Sequence, residues 1–326
     1  MRTENRRSIR IRIAFVATLC CCVSFCANAQ RSFFAPADSL DKKRLALVGG
    51  SWAAIYGTAL VGLNTAWYQQ YERTGFHTFN DLPEWNQMDK AGHAWTAYNE
   101  ARWTSQALRW SGVKPKTADA AAVGTSLLFQ TTLEMLDAYS AEWGFSWSDM
   151  GANVVGASLF YAQARLWNEQ RVAVKFSTHA VDYNRQLRGA YTRDEAQRVD
   201  ALYGNTFVEK ALKDYNGQTY WLSVNPSSFS KKDLKPRWLS VAIGYGAEGM
   251  LGGRQNVWTT DGIENNYSSV PRTRQFYLAP DVDFTRIATN SHLLKTVFEI
   301  VNVIKFPAPT LMLDNKGALR FYPAYF

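Results

Sequence analysis

The hydrophobic period of this chain changes after Arg171, and that change limits the folds open to it. Beyond it, Val172-Val174-Phe176 alternate with Ala173-Lys175-Ser177, and Leu239-Val241-Ile243-Tyr245 alternate with Ser240-Ala242-Gly244-Gly246. Phe276-Leu278-Pro280-Val282-Phe284 alternate in the same way with Tyr277, Ala279, Asp281 and Asp283. A period of two marks strands and a period near 3.6 marks helices, so helices come first and strands follow. Weaker strands at 219–224, 310–313 and 318–326 bring the count to five or six, with short helices at about 192–203, 206–215 and 291–304. The smallest membrane barrels need eight strands, so the reading is an antiparallel sheet packed on helices rather than a pore. Bulky residues on one face and Ser, Ala or Gly on the other also suit a strand that faces lipid.

The earlier half predicts about four helices. Residues 45–67 carry no charge and lie between Asp41-Lys42-Lys43-Arg44 and Glu72-Arg73. Twenty-three uncharged residues can span a bilayer. Glycines at 49, 50, 57 and 62 suit a helix at the centre of a bundle equally well, and both readings stay open, with surface contact to a membrane between them. Further helices are expected over about 89–110, from a Thr117-Ala118-Asp119 cap to about 139, and from a Ser148-Asp149 cap to about 170. The expected fold is therefore α+β, with a helical region at 30–170 and a β-rich region at 171–326.

Residues 1–29 read as an export leader. Five arginines precede an apolar run to Phe25, and Ala27-Asn28-Ala29 gives an A-x-A exit. All four cysteines (Cys20, Cys21, Cys22 and Cys26) lie in this segment, so no disulfide, thiolate metal site or cysteine nucleophile is expected after it. Phe25 before Cys26 is wrong for a lipoprotein signal. Five arginines and one glutamate leave with the leader, which lowers the formal charge from +8 to +4. With no dense Lys/Arg cluster left, no nucleic-acid partner is implied. The expected location is the periplasm or outer membrane of a Gram-negative bacterium.

Three polar clusters fall at helix ends. Asp89 and His93 are four residues apart with Lys90 beside them, Glu134 and Asp137 are three apart, and Asp149 and Asn153 are four apart. In an antiparallel bundle these ends share one side, so an imidazole and several carboxylates can converge. That set suits a divalent metal held by Asp89, His93, Glu134, Asp137 and Asp149, or acid-base work by His93, Glu134 and Asp149. The plainer alternative makes Asp149 and Asp89 helix caps. His77, His179 and His292 read as solvent-facing or structural, and Glu100, Arg102, Glu195 and Arg198 as helix surface charge.

The run Asp89-Lys90-Ala91-Gly92-His93, then Glu134-Met135-Leu136-Asp137-Ala138-Tyr139-Ser140, then Gly144-Phe145-Ser146-Trp147-Ser148-Asp149 through Asn153-Val154-Val155-Gly156-Ala157, resembles the YfiM-like family of predicted periplasmic lipoproteins. The resemblance covers roughly residues 45 to 170. The layout is also similar to VanZ-like membrane proteins, with their D-K-x-x-H and S-x-x-D-x-x-x-N-x-x-G segments. The later half, with Tyr220-Trp221-Leu222-Ser223-Val224-Asn225-Pro226 and Ile304-Lys305-Phe306-Pro307-Ala308-Pro309, looks like the longer members from Bacteroidota. The family implies an envelope location and the same His/carboxylate positions, and it supplies no activity. Two functions follow as expectations. One is a structural or binding protein at the outer membrane, in contact with lipid or an envelope protein. The other is a metal-assisted hydrolase or transferase acting on an envelope lipid or cell-wall precursor.

Overall fold

A computed structural model describes residues 33–69, 71–186, 193–232 and 234–326. The leader, its cysteines and the Ala29 exit lie outside the described residues. The fold is α+β. Its helical part comprises α1 (Lys42–Leu63), α2 (Met88–Trp110), α3 (Pro115–Asp137) and α4 (Trp147–Leu166). Then follow β1 (Val172–Thr178), α5 (Tyr183–Gln186), α6 (Arg193–Tyr203), α7 (Phe207–Lys213), β2 (Gln218–Val224) and β3 (Leu239–Glu248). The chain continues through β4 (Val257–Thr260), β5 (Ile263–Asn266), β6 (Thr273–Val282), α8 (His292–Val301), β7 (Ala308–Asp314) and β8 (Leu319–Tyr325).

α2 occupies the centre. Tyr98 and Ala101 pack on Phe160 and Ala164 of α4 and on Val174 of β1. Gly156 lets α4 approach closely, because a Cβ there would stand 2.1 Å from the Ala94 carbonyl oxygen. α1 is not the buried central helix that its glycines allowed: Val48 is its only buried residue. It lies along α3, tied by Tyr56 donating to Thr132 (2.5 Å) and packing on Phe129.

The large sheet is antiparallel, in the order β1-β2-β3-β6-β7-β8. On the far side of β1, Phe176 N–H donates to Val303 (2.8 Å) and Lys305 N–H donates back to Phe176 (2.9 Å), so the chain leading into β7 covers that edge. Tyr325 of β8 reaches across the concave face to hydrogen-bond with Thr219 (3.1 Å) and to pack on Trp221. The sheet is therefore strongly curled. Trp221 is completely enclosed, a burial worth about 3 kcal/mol. Pro323 lies in β8, the edge strand, beside a register shift opposite Ala308 and Thr310, where a missing donor does least harm.

Some expectations fail. The β4–β5 hairpin turns on Asp261-Gly262, both at positive φ, a two-residue signal the sequence reading passed over. Asp119 does not cap α3, which starts at Pro115; it is fully buried, and Asp149 is likewise no cap, since Ser146 caps α4 by accepting from Asp149 N–H. Nor does Asp89 cap α2, whose N-cap is Gln87. The supposed surface charges also go inside. Arg102 is buried and pairs with Glu299 at 2.8 Å, Glu195 is buried, Arg198 stacks on Trp258, and Glu100 accepts from Ser126 and Gln130 (both 3.1 Å).

Candidate functional site

The helix connections decide which ends meet. α2 and α3 run oppositely, and a short turn joins α3 to α4, so the start of α2, the end of α3 and the start of α4 share one end of the bundle. His93 lies one turn from Asp89 on α2. Its Nδ1 hydrogen-bonds Asn153 Oδ1 of α4 (3.1 Å), which keeps the proton on Nδ1 and turns Nε2 inward. Nε2 then faces three carboxylate oxygens: Asp89 Oδ1 at 3.7 Å, Asp149 Oδ1 at 3.7 Å and Glu134 Oε1 at 3.9 Å. These distances are too long for hydrogen bonds. Glu134 is 1 % exposed and its Oε2 accepts from Ser146 N–H (3.1 Å), while Oε1, aimed at the imidazole, has no hydrogen-bond partner among the described residues.

Lys90 forms the floor of the site. Its Nζ lies 2.7 Å from Asp81, 2.8 Å from Asp89 and 2.7 Å from Asp149. Asp81 also accepts from Ser146 (2.6 Å) and Ser148 (2.7 Å), and Tyr215 donates to Asp89 (3.0 Å). The segment that delivers Asp81 is held under strain. Trp85, Asn86 and Gln87 are all left-handed, with φ of 47°, 51° and 62°, which side-chain-bearing residues adopt only when pinned. Tyr245 and Arg274 of the sheet hold it by donating to the Asn86 carbonyl, and Gly253 accepts from Trp85 N–H at 2.7 Å.

Four carboxylates against one ammonium and one imidazole set the protonation. Burial pushes Asp149 up, the Asp89 charge adds to this, and it reaches about 8. Burial lifts Glu134 to about 7 and Asp137 to about 6. Burial disfavours charge on His93 and Lys90, yet the surrounding acids outweigh it and raise both. Burial also works against charge on Asp89 and Asp81. His93 and Lys90 hold Asp89 below the usual range, and hydrogen bonds from Asp149, Lys90 and the serines do the same for Asp81. Groups poised near neutral pH beside groups held ionised are a pattern of functional sites.

Asp89, His93 and Asp149 can each bring a ligand atom within 4.8 Å of the others, a span that suits a shared divalent ion, and Glu134 Oε1 faces the same space. Asp137 does not join them: its Oδ1 accepts from Tyr68 (2.8 Å). Asp81 and Tyr215 belong to the site and were missed. Asp81 sits in the loop that contains Pro83, and Tyr215 comes from the turn between α7 and β2, 126 residues away from Asp89. The other histidines are structural where their contacts are seen. His77 bonds to the Gly75 and Trp143 carbonyls and His179 packs on Tyr325.

Residues 78–164, which contain every helical residue of this site, match the family model of DUF2279, described as predicted periplasmic lipoproteins. No curated protein and no solved structure gives a significant match to the chain. The family description agrees with the leader, and the protein is an exported envelope protein of the periplasm or outer membrane.

Proposed function

We propose that this envelope protein holds a divalent cation between His93, Asp89, Asp149 and Glu134, and that the site serves metal-assisted hydrolysis or group transfer on an envelope lipid or cell-wall precursor. One observation carries the reading: the partly buried His93 imidazole turns Nε2 toward three carboxylate oxygens at 3.7 to 3.9 Å, one of them with no hydrogen-bond partner among the described residues. One nitrogen and several oxygens suit Mn²⁺, Zn²⁺ or Mg²⁺, and such an ion supplies a polarised substrate oxygen and an acidified water. Asn153 orients the imidazole, and Lys90 helps keep Asp89 ionised while it contacts Asp149. The affinity to YfiM-like and Bacteroidota-type members rests on the motif runs alone. Elemental analysis of the purified mature protein beside His93→Ala and Glu134→Gln tests the reading. Near-stoichiometric metal in the parent and its loss in both variants is the expected result.

Lys90 supports a second reading. Its ammonium already bridges three carboxylates, so the cluster can be a self-neutralised polar plug that fixes the helix ends. Absence of metal from the parent, together with unfolding of Lys90→Met, would favour the plug.

A further inference from the structure

The large sheet is turned inside out. On β3, β6 and β7 most residues that face the curled interior are polar or small, among them Ser240, Gln275, Tyr277, Asp281 and Thr310, all of them buried, with Met312 the large apolar exception. The convex face carries Val241, Ile243, Phe276, Leu278, Leu311 and Leu313, each between 44 % and 58 % exposed. A sheet that meets water reverses this order, with apolar residues inside and polar residues outside. The band runs from Leu239 and Val282, which pair, to Tyr245 and Phe276, which also pair; that is about 20 Å along the strands at about 3.4 Å per residue. Across four strands it covers roughly 300 Å², comparable to the largest patch of a typical monomer and without one charge.

We infer that this convex face is seated in the hydrocarbon of a lipid membrane with anionic headgroups. Three features select lipid over a protein partner. At the Leu239 end, the residues leading into β3 include Lys231, Lys232, Lys235 and Arg237 and end on the exposed Trp238, the composition of a headgroup boundary. α8 lies at the same margin, because Asp283, which precedes it, donates to the Trp238 carbonyl (2.8 Å); it exposes Leu294, Val297 and Ile300 on one side, as an interfacial helix does. α1 is a second surface of the same kind: it is long and apolar enough to cross a bilayer, and only 6 % of its most apolar stretch is buried. The inference does not depend on whether the His93 site binds metal.

The mature chain has no cysteine after Cys26, which makes the test direct. Ile243→Cys, Leu278→Cys and Leu311→Cys are labelled with a polarity-sensitive fluorophore in the full mature protein, with Ile263→Cys in the β4–β5 hairpin as the water-facing control. All four sites are already exposed, so the label disturbs no core. The protein is then bound to vesicles of phosphatidylethanolamine and phosphatidylglycerol. The expected result is a blue shift at 243, 278 and 311, quenching there by brominated acyl chains and not by iodide, and the reverse at 263. Quenching of the three sites by iodide, shielding from both quenchers as in a protein contact, or failure to bind the vesicles would each overturn the proposal.

Discussion

The two ends of the helical bundle each bury carboxylate charge, and they resolve it in opposite ways. At one end Asp119 has no exposure, and both its oxygens are paired: Ser105 (2.6 Å) and Arg109 (2.6 Å) donate to Oδ1, and Arg165 donates to Oδ2. One acid meets two guanidinium groups. At the other end four acids meet one lysine and one histidine, and Glu134 Oε1 has no donor among the described residues. Burial is common to both, so burial does not make a site. What sets the proposed site apart is its excess of acceptors over donors, an imbalance that an added cation would offset.

Four measurements sharpen or break this contrast, from the largest effect to the smallest. Asp119→Ala leaves two arginines without their acceptor and is expected to lower unfolding stability by about 3 kcal/mol, read by denaturant titration. A neutral result there would mean that the closed end is no more structural than the open one. His93→Ala is expected to keep the fold and to weaken divalent-metal affinity on the order of 100-fold, by calorimetry with Mn²⁺ or Zn²⁺. Unchanged affinity would place the ion elsewhere.

The third concerns Glu100, midway between the ends. Burial raises it from 4.5 to about 7, against hydrogen bonds from Gln130 and Ser126, and His93 is the charged group that bears on it. The folded chain therefore holds this proton more tightly than the unfolded chain. Its contribution to stability falls as pH rises from about 4.5 to about 7 and is flat above. Glu100→Gln removes that loss, so the variant is expected to be about 2 kcal/mol more stable than the parent at pH 8 and equal to it near pH 4. A pH-independent difference would contradict this. Last, Asn153→Ala releases the imidazole from its orienting bond and is expected to cost about tenfold in metal affinity with little change in melting.

Much of this was readable in the chain. The change of period at Arg171 placed helices before strands, and the alternation at Leu239–Tyr245 gave both faces of β3 correctly. His93, Asp89, Glu134 and Asp149 were found because spacing on a helix and antiparallel order fix where side chains gather. Spacing does not reveal which charges are buried. Arg102 and Glu195 have the pattern of surface residues, and their partners or packing come from distant segments. Asp119 looked like a cap because a Thr-Ala-Asp run normally is one, and Pro115 moved the helix start upstream of it. Asp81 and Tyr215 reach the site through tertiary contacts with no local signature.

The bridge between Phe176 and the segment Val303–Lys305 has a consequence for how the molecule is made. β1 leaves the helical bundle early, but its outer edge stays unpaired until residues more than a hundred positions later have been delivered. A chain that crosses a membrane from its leader onward thus emerges with an open strand edge and an apolar sheet face together, the combination most open to wrong pairing. Closure waits on a long-range contact, so the sheet forms late and slowly relative to the helices.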